Sequence, residues 1–180
     1  VASSIDRSLE LMKTDHIDLV QLHSCTVEIL ERGDVVRALQ DARAAGKTRF
    51  IGYSGDNENA KWAVTSRLFD TLQTSFNLVD QSARTNLFAD VEAGGMGLII
   101  KRPIANAVWG APADPQPYSH IPDYAAEYFR RAGVMAAEGP LADDPGDRIR
   151  LALGFTFAHT EVDVTIVGTQ RPDHMQSNLD

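Results

Sequence analysis

One cysteine in 180 residues, Cys25, excludes an internal disulfide and gives no sign of an oxidising compartment. Positive charge is in deficit, with 17 Lys and Arg against 25 Asp and Glu and a formal net charge of -8. That balance argues against a nucleic-acid or anionic-membrane binder, both of which need a positive face. No apolar run approaches the ~20 residues needed to span a bilayer, and no basic start followed by an apolar run marks a signal peptide. Metal-ligand spacing is missing too. The histidines at 16, 23, 120, 159 and 174 are scattered, and Cys25 has no partner thiol, so a zinc site is not expected. Gly94-Gly95-Met96-Gly97 precedes a β-rich run instead of following one, so it lacks the context of a dinucleotide fingerprint or a phosphate loop. Gly52-Tyr53-Ser54-Gly55 lacks the glycine two before the serine that a hydrolase elbow needs. What is present is ordinary: 43% hydrophobic and 23% charged residues, in a length that fits one domain. The expectation is a soluble, cytoplasmic globular protein.

Short β-rich runs alternate with helical periods along the chain. Strands are expected at 17–22, 49–54, 71–76, 97–101 and 162–167, each closing on polar residues or on Gly or Pro. Helical spacing covers 3–12 and then 34 onward to Gly46, with Asp34 as cap and Val35, Val36, Leu39 and Ala42 as the apolar stripe. It recurs at 58–68 with Trp62 and Ala63 inside, at 80–93 with Leu87, Phe88 and Val91, at 147–158 with Ile149, Leu151, Leu153 and Phe157, and at 173–179. Strand–helix alternation implies parallel strands with helical crossovers, in either an open doubly wound sheet or an arc of a (β/α)8 barrel. The stretch from Ile104 to Ile121, with three prolines at 112, 115 and 117, reads as a long functional loop.

Polar residues gather at the C-terminal ends of these strands: His23 and Ser24, Ser54, Asn77 with Gln73 inside its strand, Lys101 and Arg102, Gly168 and Thr169. Any one of them could be polar merely because strand ends are exposed. Together they describe the catalytic rim of a barrel. Cys25, close to His23, reads as a small buried thiol and not as a nucleophile.

Four blocks carry a resemblance. They are 8–23 (SLELMKTDHIDLVQLH), 46–54 (GKTRFIGYS), 73–78 (QTSFNL) and 166–174 (IVGTQRPDH), the last continuing to Asn178. In this order the chain resembles the C-terminal part of an aldo-keto reductase, from the helix before the fourth barrel strand to the helix after the eighth. The resemblance implies an α/β fold, a partial (β/α)8 TIM barrel made of strands four to eight with their helices, and residues 1–180 as a single incomplete barrel domain. It implies reversible carbonyl and alcohol interconversion on a small substrate by hydride transfer, with NADP or NAD and without metal or flavin. His23 matches the family's active-site histidine. Ser54 and Gln73 match the residues that hydrogen-bond the nicotinamide carboxamide. Lys101 stands where many members stack an aromatic residue on the nicotinamide, so Lys101 and Arg102 are expected to reach a phosphate or ribose. Gly168, Thr169, His174 and Asn178 match the pocket for the adenosine end. Classical NADP-specific members carry Lys and Arg where this chain has Gly168 and His174. Arg171 is the compensating candidate, and NADP is slightly favoured.

The family's tyrosine acid, lysine and aspartate belong to earlier strands, and no substitute is expected. Tyr53 should point away from Ser54 by strand alternation, and Tyr118, Tyr124 and Tyr128 have no matched lysine. A (β/α)8 barrel takes about 250 residues, so five strands read as part of one. Three explanations stand: a fragment of a longer reading frame, which is favoured; a non-catalytic nucleotide-binding or interaction module; or a half-barrel that assembles with a second chain. Open barrel edges are available for self-association. No turnover is expected from these residues alone.

Overall fold

A computed structural model describes residues 1–108, 123–139, 146–169 and 171–179. The fold is α/β, with five parallel strands hydrogen-bonded in sequence order β1-β2-β3-β4-β5. The strands are β1 (Ile17–His23), β2 (Thr48–Ser54), β3 (Thr71–Ser75), β4 (Gly97–Lys101) and β5 (Val164–Thr165). The helices are α1 (Ala2–Met12), α2 (Val27–Glu31), α3 (Asp34–Ala44), α4 (Asn57–Ser66), α5 (Ala89–Ala93), α6 (Asp123–Ala137), α7 (Arg148–Phe157) and α8 (Pro172–Leu179). A π-helical turn at Arg84–Phe88 leads into α5 and buries Leu87 and Phe88. Sequential neighbours in a parallel sheet require crossover connections, and α3, α4 and α5 supply them after β1, β2 and β3.

The chain divides into two compact units, one of residues 1–74 and 82–99, the other of 75–81 and 100–180. In the first unit, the sheet face opposite the strand-end polar residues is apolar. Leu22, Ile51, Tyr53, Leu72 and Leu98 are buried there, as are Val36 and Leu39 of α3 and Ala60, Ala63 and Val64 of α4. Asp70, just ahead of β3, accepts the Ile51 amide at 2.8 Å and pairs with Arg43 of α3 at 3.1 Å, tying helix and strands at the sheet's N-terminal edge. In the second unit, Val79, Ala105, Val108 and Tyr128 form a separate cluster, with Phe129, Ala132 and Met135 of α6 packed against it. Phe76 stacks on Phe155 at 5.3 Å and meets the His159 ring edge-on at 4.8 Å.

Several local expectations change. Gly33, not Asp34, is the N-cap of α3, and Asp34 lies in the first turn, where its charge faces the positive end of the helix dipole. On α4 Trp62 is only half-buried and Leu68 is exposed, while Ala60 and Val64 complete the buried stripe. On α7 Phe157 is 61% exposed, and Thr156 is buried instead, its hydroxyl donating to the Ala152 carbonyl. The fifth strand is two residues long, and α6 stands where no helix was expected. Of the Ile104–Ile121 stretch, residues 109–121 lie outside the described residues, Tyr118 among them. Among the described residues no helix is long and apolar enough to cross a membrane.

Candidate active site

Parallel pairing places three of the expected residues in one row. His23 of β1 is matched with Ser54 of β2, and Ser54 with Gln73 of β3. Residues in register share a face, so the imidazole, hydroxyl and carboxamide leave one side of the sheet at the C-terminal strand ends. Two backbone bonds lock that register: the Ser24 amide donates to the Ser54 carbonyl at 2.8 Å, and the Gly55 amide to the Gln73 carbonyl at 3.0 Å.

The side chains of this row differ in burial and in partners. Ser54 is 2% exposed, yet its Oγ has no hydrogen-bond partner among the described residues. A buried hydroxyl without a partner carries a desolvation penalty of roughly 1–3 kcal/mol. His23 is exposed and Gln73 half-buried. One step deeper on the same face, Gln21, Gly52 and Thr71 are matched in turn. Gln21 Nε2 and Thr71 Oγ1 are also buried without partners among the described residues. Gly52 makes this possible, because a Cβ there would overlap the Thr71 hydroxyl and stand 3.0 Å from Gln21 Cγ. These two residues were not singled out from the sequence. Counting back two positions from His23 and Gln73, with strand alternation in mind, finds them.

Tyr53 faces the other way, as alternation requires. It is fully buried, packs on Phe69 with ring centres 5.9 Å apart, and donates to the Cys25 carbonyl at 2.6 Å. Burial pushes its hydroxyl up to about 12, with the Cys25 and Asp56 charges adding to the shift. It is therefore a poor proton donor near neutral pH. Burial also raises the Cys25 thiol, although the residue is half-buried and not buried as expected. Beside this corner Thr74 Oγ1 donates to Asp56 Oδ1 at 3.0 Å.

The second unit holds the remaining expected residues. Lys101 ends β4, and Arg102 follows with φ +59°, its Nη1 donating to Ser75 Oγ at 2.8 Å. Asn77 is fully buried and structural: its Nδ2 donates to the Arg102 carbonyl at 3.0 Å and its Oδ1 accepts the Val79 amide at 3.0 Å. Tyr128 is buried with its hydroxyl donating to Asp80 Oδ2 at 3.0 Å. Burial first, and then the Asp80 charge, raises its pKa. Gly168 is exposed and Thr169 half-buried; Thr169 Oγ1 accepts the Arg171 amide at 3.2 Å in the turn that opens α8. His174 and Asn178 lie on α8, exposed and half-buried. Arg171 is engaged in a two-pronged pair with Asp173, at 2.6 and 3.2 Å, and its guanidinium holds the Asp173 carboxyl below the usual carboxylate range. Among the described residues no group of three or more His, Cys, Asp or Glu side chains could hold a metal ion.

The aldo/keto reductase family model matches residues 1–180. L-galactose dehydrogenase of Arabidopsis thaliana is 25% identical over 186 residues, which take in 99% of this chain and 56% of that protein. The holo form of aldo-keto reductase AKR11C1 from Bacillus halodurans superposes with a TM-score of 0.77 at 19% identity, over 99% of this chain and 59% of that one. Its apo form gives the same TM-score and identity over 98% and 60%. That structural likeness is one of fold, and it agrees with the expected partial-barrel class. The chain spans less than two thirds of the length of each of these relatives. With five parallel strands, a polar row at their C-terminal ends and a family match over every residue, the chain belongs to the aldo/keto reductase family of oxidoreductases.

Proposed function

We propose that this chain corresponds to strands four to eight of an aldo-keto reductase barrel, a single incomplete domain carrying the cofactor side of an NAD(P)H-dependent carbonyl reduction. The observation that supports this most is the matched row of His23, Ser54 and Gln73, with a buried Ser54 hydroxyl that lacks a partner among the described residues. A hydroxyl can donate and accept, and a carboxamide side chain offers both an oxygen and an NH2. Ser54 and Gln73 together therefore complement the carboxamide of a nicotinamide, which needs one acceptor and one donor in the same plane. When bound, the dinucleotide supplies the hydride. His23, exposed beside Ser54, orients the carbonyl oxygen of a small substrate through an imidazole nitrogen. Lys101 and Arg102 bring positive charge to a phosphate or ribose. Gly168, Thr169, His174 and Asn178 serve the adenosine end, where the backbone amides opening α8 suit an anion.

Reduction of a carbonyl also needs a proton for the developing alkoxide. Tyr53 and Tyr128 do not meet that need, since each is buried, engaged through its hydroxyl and raised in pKa. The acid is thus not assigned to Tyr53 or Tyr128, and the chain alone is expected to bind cofactor without turning over a reactive aldehyde. Arg171 supports a preference for NADP only when it leaves Asp173, so the preference is expected to be slight. The relative's substrate, L-galactose by its name, makes a sugar alcohol or aldose the first substrate class to try.

Calorimetric titration with NADPH and NADH tests this reading. Saturable binding is expected, with Ser54→Ala and Gln73→Ala each weakening it about two- to tenfold, the range of a neutral hydrogen bond. Binding that is absent at millimolar cofactor, or untouched by both substitutions, contradicts it.

A second reading, assembly with another chain, rests on a different observation. Phe50 lies on the same face as Ser54 and is 54% exposed, and β1 and β5 are the end strands of the sheet. An apolar side chain on an inner sheet face and free strand edges both invite a partner.

A further inference from the structure

The chain turns sharply just after His23, and what holds that turn has no role in the reading above. Ser24 adopts φ +56°, a left-handed conformation that a non-glycine residue keeps only when its surroundings impose it. Three bonds do so. The Ser24 amide is held by the Ser54 carbonyl at 2.8 Å, the Val27 amide by Asn59 Oδ1 at 2.9 Å, and the Cys25 carbonyl by the Tyr53 hydroxyl at 2.6 Å. Two of these come from consecutive residues at the end of β2, one through the backbone of Ser54 and one through the side chain of Tyr53.

The Tyr53 ring has a seat made for it. It is fully buried against Phe69, and Gly55 leaves open the space it occupies. A Cβ at Gly55 would stand 2.6 Å from both Cε1 and the hydroxyl oxygen of Tyr53. A phenylalanine would fill the same apolar slot, so burial alone does not account for a tyrosine there. Its hydroxyl donates to the Cys25 carbonyl in the turn.

We propose that Tyr53 is a positioning residue: its hydroxyl, seated by Gly55, fixes the turn at Ser24 and Cys25 and thereby the placement of the His23 imidazole beside Ser54. The consequence for chemistry rests on the function proposed above, but the placement of His23 does not.

The test uses Tyr53→Phe, which keeps the ring and removes the bond, and Gly55→Ala, which keeps the hydroxyl and displaces the ring. Two readouts of the whole chain are followed by NMR: amide hydrogen exchange at Ser24, and the ring C–H resonances of His23. In both variants Ser24 exchange is expected to rise about tenfold, the change that corresponds to a lost bond of about 1.4 kcal/mol, with exchange at Ile51 and Leu72 unchanged. The His23 ring resonances are expected to move in both. A merely space-filling Tyr53 would leave both readouts of Tyr53→Phe as in the parent, and that result overturns the proposal. NADPH is then added to each protein. Weakened NADPH binding with unchanged affinity for the adenosine fragment 2′-phospho-AMP is expected in Tyr53→Phe. Loss of both to the same extent contradicts a role confined to the nicotinamide end. Absence of NADPH binding by the parent chain counts against the proposed function, while Ser24 exchange and the His23 resonances still decide the placement.

Discussion

At the scale of single residues, a side-chain hydroxyl takes opposite roles according to its face on the strand. Ser54 and Tyr53 are neighbours in β2, yet one leaves a buried hydroxyl unpartnered among the described residues and the other donates at 2.6 Å to a backbone carbonyl. The Tyr53 hydroxyl is raised to about 12 by burial, so the folded chain holds its proton more tightly than the unfolded chain does near the ordinary value of about 10. Its contribution to stability is therefore whole below about pH 10 and is lost as pH rises through about 12. Denaturation followed across that range should show a fall in stability that Tyr53→Phe makes shallower. A Tyr53 phenol ionising near 10, like a free tyrosine, contradicts this. Arg171 and Asp173 pose the corresponding question for the cofactor. Both are more than 60% exposed, so solvent screens their pair and leaves it weak. Asp173→Asn should free Arg171 and raise NADPH affinity relative to NADH by a few-fold, measured by paired titrations. An unchanged ratio shows that Arg171 does not reach the 2′-phosphate.

At the scale of elements, Asn77 shows how a polar residue at a strand end can be wholly structural. It joins the Arg102 carbonyl and the Val79 amide from a fully buried position. Asn77→Ala leaves both backbone groups without that partner, and an unsatisfied buried group costs roughly 1–3 kcal/mol. A loss of about 2–4 kcal/mol in urea denaturation is expected, and a loss below about 0.5 kcal/mol contradicts the assignment. The resemblance assigns a ligand role to Ser54 and Gln73 and none to Asn77, and the backbone groups that face Asn77 in the fold show it to be structural. Strands β1 to β4 were readable because apolar runs alternate with polar ends at each of them. The fifth run, 162–167, has the same composition, but only Val164 and Thr165 find a neighbour to pair with. Helix α6 was missed although Ala125, Tyr128, Phe129, Ala132 and Met135 recur at helical spacing. Alanines dilute that stripe, and the proline-rich stretch before it has the composition of a loop. On α7, burial of Thr156 in place of Phe157 depends on a hydroxyl-to-carbonyl bond that periodicity does not see.

At the scale of the molecule, membership of the family follows from the match over all 180 residues, and the matched relatives are longer. Tyr53 and Tyr128 are engaged elsewhere through their hydroxyls, and turnover of a reactive aldehyde by this chain is expected to be undetectable above background. Measured reduction contradicts that expectation. Exposed Phe50 and the end strands β1 and β5 predict association that grows with concentration. Sedimentation should show a dimer or larger species at tens of micromolar protein, and a monomer that persists there contradicts the assembly reading.

If Ser54 and Gln73 receive a nicotinamide carboxamide, as proposed, the side-chain amide of Gln73 reports the contact. In a two-dimensional amide NMR spectrum of the chain, the Gln73 Nε2 resonances should shift on addition of NADPH and stay in place with 2′-phospho-AMP. Gln73 resonances that stay unmoved at saturating NADPH, or that shift equally with the adenosine fragment, contradict the account.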